Sequence, residues 1–198
     1  MNMKNLSSDI PSKKTRLGAW AFTLCSFLGG CANQGLPPPI SAVPKVDLPR
    51  FMGDWYVIAC IPTFIETEAY NAIESYKLEA DGSIDTTFTF RKGGFDGEPK
   101  RYNPHGYVIE NTNNAVWGMQ FIWPIKSEYI IAHLDDDYGS TIIARNARDY
   151  VWIMARSPSL PDAKYSELTA AVAKLGYDIA KLRKVPQQWG SPDLQKTK

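Results

Sequence analysis

The chain has 198 residues, 44% hydrophobic and 22% charged. That is enough for one domain with a buried core, and too apolar for a disordered segment. The formal charge of +1 conceals a basic start, because residues 1–30 hold Lys4, Lys13, Lys14 and Arg16 against Asp9 alone. The remainder carries 18 basic and 20 acidic residues, with no basic run to suit a nucleic acid.

In chain order, the first predicted element is a leader. Lys13, Lys14 and Arg16 precede an apolar run from Leu17 to Leu28. Its twelve residues are too few to span about 30 Å of hydrocarbon as a helix. Length and charge order are those of a secretory signal peptide over residues 1–30. The run ends in Leu28-Gly29-Gly30-Cys31, which resembles the lipobox of bacterial lipoproteins. The resemblance implies that Cys31 becomes the acylated N-terminal residue, and Ala32 after it favours the outer membrane. Residues 31–49, with Pro37-Pro38-Pro39, Pro44 and Pro49, read as an extended tether of about 3 Å per residue. Cys25 leaves with the signal and Cys31 is acylated, so Cys60 stands alone and no internal disulfide is expected. His105 and His133 are far apart in sequence, and no metal or cofactor site is expected.

Ten Tyr, six Trp, fourteen Gly and fourteen Pro favour a β-rich body with many turns. Eight strands are predicted: Trp55 to Ile61, Tyr70 to Glu79, Ser83 to Arg91, Arg101 to Glu110, Ala115 to Trp123, Glu128 to Leu134, Ser140 to Arg145 and Tyr150 to Arg156. Asp81-Gly82 is a strong hairpin signal between the second and third. The third alternates most clearly, with Ile84, Thr86, Phe88 and Phe90 on one face. Pro104 interrupts the fourth and marks an edge or a bulge. Short strands joined by hairpins favour an up-and-down meander, and eight can close into a barrel wide enough for one small ligand. The fold class expected is therefore all-β, an eight-stranded antiparallel barrel with one C-terminal α-helix packed outside. That helix begins near Ser159, with Asp162 as a capping-box partner. Tyr165, Leu168, Val172 and Leu175 form its apolar face, and Gly176 stops it. A short extra strand between Tyr177 and Val185 and a flexible tail over 189–198 complete the chain, with the barrel and helix over 50–188.

Gly53-Asp54-Trp55-Tyr56, Leu134-Asp135-Asp136-Asp137-Tyr138 and Tyr150-Val151-Trp152-Ile153-Met154-Ala155-Arg156 together resemble the three motifs of the lipocalins, in their bacterial outer-membrane lipoprotein branch. The resemblance covers about residues 48–188. It implies that Gly53, Trp55, Asp135, Tyr138 and Arg156 maintain the fold, with Trp55 across a closed barrel end and Arg156 over its ring. It also implies a lipid-anchored, periplasm-facing protein of the outer membrane.

Enzyme signals are poor, since no nucleophile elbow, phosphate loop, dinucleotide turn or HExxH occurs. Glu66 and Glu68 read as a solvated loop, Asp135 to Asp137 as a self-capping turn, and Cys60 as facing away from the interior. Binding signals are better. Strand parity from Trp55 turns Ala59 inward, and the third strand supplies Phe88 and Phe90. The fifth supplies Trp117, Met119, Phe121 and Trp123, with Phe64 at the mouth. Such a lining suits a small apolar ligand, a fatty acid or lysophospholipid. Tyr70, Tyr107, Tyr129 and His133 are candidate partners for a polar head. A lipid-directed enzyme within the barrel and a structural envelope protein with a filled barrel, its apolar patch a possible homodimer surface, are the alternative readings.

Overall fold

The computed structural model describes residues 37–189. The signal peptide, Cys31 and residues 190–198 of the expected tail lie outside the described residues. A one-turn helix, α1 (Leu48–Phe51), capped by the Asp47 side chain, leads into β1 (Gly53–Ile61). There follow β2 (Ala69–Leu78), β3 (Ile84–Lys92), β4 (Glu98–Tyr102), β5 (His105–Val108), β6 (Val116–Ile122), β7 (Ile125–Leu134), β8 (Ser140–Ala144) and β9 (Val151–Ala155). Helix α2 (Asp162–Lys174), a 3-10 turn at Ile179–Lys181 and β10 (Arg183–Lys184) end the order. In the order β1-β2-β3-β5-β6-β7-β8-β9 each strand pairs antiparallel with the next, and β1 pairs with β9 to close an eight-stranded barrel. Closure removes the sheet edges except at β4, which pairs with β3 alone.

The fourth predicted strand is two pieces. Pro104 lacks the amide that a continuous ladder needs, so β4 pairs with β3 alone and β5 bridges β3 to β6. The wall is interrupted at Tyr102–Pro104, which line the cavity described below.

Two apolar clusters result. One fills the barrel, with Trp55, Val57, Phe88, Trp117, Ile131 and Met154 among its members. The other lies between the barrel and α2, where Ile58, Ala59, Ile142 and Ile153 meet Leu168 and Val172. Strand β9 contributes to both, as its unbroken apolar run requires. Helix α2 starts at Asp162 without a side-chain cap, so the capping box expected at Ser159 does not form. Its end is a Schellman turn. The Gly176 amide donates to Ala173 O and the Tyr177 amide to Val172 O, with Gly176 at φ +90°.

Two sequence expectations fail at the chain ends. The Pro-rich stretch is extended but does not stand off: Val43 N donates to Ile131 O, Val46 N to Asn113 O and Ile40 N to Asn146 Oδ1. Ile40 and Val46 are buried and Pro38 O accepts from Arg148 Nη2, so residues 38–49 lie against the domain. At the other end, Gln187 Nε2 donates to Val57 O (2.8 Å) and Ala72 O (3.2 Å). Asn71 and Gln188 exchange two hydrogen bonds, and Trp189 packs on Tyr56. These contacts satisfy backbone groups freed where β1 and β2 bulge. Trp189, the first residue of the expected tail, therefore packs on the domain.

Candidate functional site

The closed end of the barrel is assembled from the chain entry and three separate strand ends. Gly53, at φ +92°, would place a Cβ 3.5 Å from an Arg156 nitrogen. Arg156 lies 3.8 Å over the Trp55 ring and donates to the carbonyls of Asp54, Arg50, Phe51 and Met52 at 2.8–3.0 Å. Trp55 Nε1 donates to Phe51 O. Tyr138 takes the Asp47 amide on its hydroxyl and the Arg50 guanidinium on its ring. Asp135 receives Lys164 of α2 at 2.7 Å and lies 3.0 Å from His133 Nε2. Burial alone would raise the Asp135 carboxyl, but the hydrogen bonds from Lys164, Ser140 and His133 outweigh it and hold the group below its ordinary range.

Above this end sits a plug of rings. Phe51 packs at a tilt against Trp55 and Tyr76 and edge-on against Trp117, and Trp117 lies parallel to Tyr129 at 5.0 Å. Above the plug is a cavity of about 450 Å³. Its apolar wall includes Phe64, Phe88, Met119, Phe121, Ile122 and Trp152. Glu66, Glu74, Glu128, Tyr129 and Arg145 supply polar groups.

The acidic groups differ in their support. Glu128 accepts from Asn146 N and Nδ2. Glu66, 3% exposed, accepts from Trp152 Nε1 at 3.2 Å and from Thr63 N at 2.9 Å. Burial nevertheless leaves its carboxyl above the usual range. Glu74 receives the Tyr76 hydroxyl, which also lies 2.6 Å from that of Tyr129. Burial pushes the Glu74 carboxyl up to about 7, against the lowering effect of that hydrogen bond.

The structure redistributes the residues predicted for the lining. Phe64, Phe88, Met119, Phe121 and Tyr129 border the cavity. Trp117 has the expected inward face but belongs to the plug. Phe90 is buried behind the lining, stacked on Tyr102. Trp123 is 82% exposed, in the tip between β6 and β7, beyond the end of the inward face.

Ala59 and His133 are corrections with one cause. A bulge between Val57 and Ala59 inserts one residue in β1, so Ala59 turns out under α2 and Cys60 turns in. A bulge between Ile131 and His133 does the same in β7, sending His133 out to Asp135. Cys60 is thus interior, contrary to its predicted facing. Burial, followed by the negative charge of Glu66, pushes its thiol far above the ordinary range, which keeps it unreactive.

Of the other polar candidates, Tyr70 packs on Phe95 and Tyr107 lies under Lys126. Glu66 is not solvated, and Glu68 is exposed, 4.0 Å from Lys92, so the two form no pair. In the Asp135–Asp137 turn only Asp137 caps locally, accepting from Gly139 N. Among the described residues no His, Cys, Asp or Glu cluster is arranged to hold a metal. Sequence reasoning missed Glu74. The signal was present, because pairing Glu79 with Ser83 across Asp81-Gly82 sets Glu74 opposite the inward Phe88.

Similarity to known proteins agrees with this geometry. Temperature-induced lipocalin-1 of Arabidopsis thaliana is 27% identical over 166 residues, covering 78% of this chain and 86% of that protein. Outer membrane lipoprotein Blc of Escherichia coli (strain K12) is 25% identical over 177 residues, covering 84% and 94%. Among solved structures, insecticyanin of the tobacco hornworm superposes with a TM-score of 0.61 at 18% identity, over 82% of this chain and 91% of that one. Lobster apocrustacyanin A1 gives 0.59 at 18%, over 75% and 84%. A model of the lipocalin-like domain matches residues 46–187, from the chain entry through the barrel and α2 to the closing segment, and the chain belongs to that family.

Proposed function

We propose that the protein is a non-catalytic binder of elongated apolar molecules, fatty acids or lysophospholipids among them, held on the outer membrane by a lipid on Cys31 and facing the periplasm. The observation that carries the binding role is the cavity of about 450 Å³ walled by Phe88, Met119, Phe121 and Ile122. That volume falls within the range of about 300–1,000 Å³ usual for small-molecule sites. Apolar surface removed from water there contributes about 25 cal/mol per Å² before ordering costs. Residues 1–30 act as the signal peptide on this reading, and 31–37 as the remaining tether. The name of the Escherichia coli relative, an outer membrane lipoprotein, supports the location.

Binding is tested by mass spectrometry of lipids that copurify with the protein, together with displacement of a fluorescent fatty acid. A specific copurifying lipid and saturable displacement are expected; their absence in repeated preparations overturns the role. Anchoring is tested separately by Cys31→Ser and fractionation, which should move the protein out of the membrane fraction.

A further inference from the structure

The cavity is apolar in its wall but acidic inside. Glu74 stands directly over the aromatic plug, and only Tyr76 donates to it among the described residues, through Oε2. Its other oxygen has no partner among the described residues and is not fully buried. Glu66 is a buried carboxyl near enough to the half-buried Glu74 to raise it further. Neither acid has an ion-pair partner among the described residues. Arg183 directs its guanidinium to the carbonyls of Glu66, Thr67 and Ala69. Arg145, at the rim, lies 3.5 Å from Asp149. The titratable groups around Glu74 are Tyr76 on its own strand, Tyr129 on β7, Glu66 in the loop after β1 and Cys60 on β1, and none of them is a cation.

A pocket evolved for hydrocarbon alone gains nothing from two carboxyls whose desolvation opposes folding and is offset only in part, by hydrogen bonds and by the charge of Arg183 near Glu66. A carboxylate or phosphate pushed in first would meet like charge. An ammonium group reverses both terms. It supplies the missing counter-charge and up to three donors, and it also interacts favourably with ring faces such as that of Trp152.

We propose that the inner end of the cavity is a subsite for a protonated amine, and that the preferred ligand is an elongated amphiphile carrying a primary ammonium on the end that enters first. Glu74 is its direct partner, and Glu66 adds negative potential. Anionic amphiphiles then bind tail first, with the head at the rim near Arg145. The inference rests on the binding role proposed above and narrows its ligand class.

The test uses the purified full chain and three probes of equal length: dodecylamine, 1-dodecanol and dodecanoic acid. Each competes with a bound fluorescent fatty acid at a pH somewhat above 7, where Glu74 is ionised. Dodecylamine should bind about tenfold tighter than the other two, the worth of one hydrogen bond to a charged group. Glu74→Gln should remove most of that advantage, and Glu66→Gln part of it, while continued dodecanol binding reports an intact barrel. If Glu74→Gln fails to fold, acidifying the unaltered protein until Glu74 is neutral should erode the same preference. Equal affinities for amine and alcohol, or a preference unmoved by Glu74→Gln, overturn the inference alone. Failure of all three probes overturns the binding role, and the inference with it.

Discussion

The two ends of the barrel handle buried charge in opposite ways. At the closed end the Arg156 guanidinium meets four backbone carbonyls and an indole face. In the cavity, Glu74 and Glu66 have hydrogen bonds but, among the described residues, no ion-pair partner. The closed end is therefore complete without a ligand, whereas the cavity keeps an electrostatic cost that a ligand can remove. Stability should depend most on the first region, and binding on the second.

The largest break in this contrast should come from Trp55→Ala. It removes a fully buried indole and the surface on which Arg156 rests, and should cost about 3–5 kcal/mol in urea unfolding. A loss under 1 kcal/mol, about the size of an exposed change, would mean that the closed end is not the keystone described.

Next in size is the pH dependence set by Glu74. A folded-state carboxyl raised from 4.5 to about 7 binds its proton more tightly in the fold than in the unfolded chain. Stability from this group is therefore greatest below its unfolded value. It falls as pH rises between the two values and is flat above the folded one. At about 1.4 kcal/mol per pH unit the fall amounts to about 3 kcal/mol. Glu66, also raised, acts in the same sense. Glu74→Gln should flatten most of this slope in unfolding measured across the window; an unchanged slope refutes the assignment.

Arg156→Lys is a smaller perturbation, because it keeps the charge but loses the planar fork that reaches several carbonyls together. A loss of about 2 kcal/mol is expected, with little change in ligand affinity. Smallest is Phe64→Ala. The ring is 87% exposed, so stability should move by no more than about 0.5 kcal/mol. Its position at the cavity mouth makes ligand off-rate the quantity to watch. A large stability loss would place Phe64 in the core instead.

The fold was legible because its signals are local: Asp81-Gly82 for a hairpin, alternation in β3, an apolar stripe on α2 stopped at Gly176. Strand faces were legible only up to the first bulge. Trp55 and Val57 follow simple parity, but one inserted residue reverses Ala59 and Cys60, and another reverses His133. Nothing in the alternation of β1 marks the insertion, because Ile58, Ala59, Cys60 and Ile61 are all apolar. Height within the barrel was not legible either, so Trp117 and Met119 share a face yet belong to plug and cavity. Glu66 was hidden for a different reason. A loop has no periodicity, and only the position of Trp152 on β9 shows that the side chain folds inward.

The clasp at Gln187 has a kinetic consequence. β1 closes the ring only with β9, and its bulge is satisfied by a side chain 130 positions further on. No partial chain emerging from its N-terminus can complete its own backbone hydrogen bonding. Contacts of such long range carry a large loop-closure cost and fold slowly. The polypeptide should therefore stay threadable until its last fifty residues or so are free.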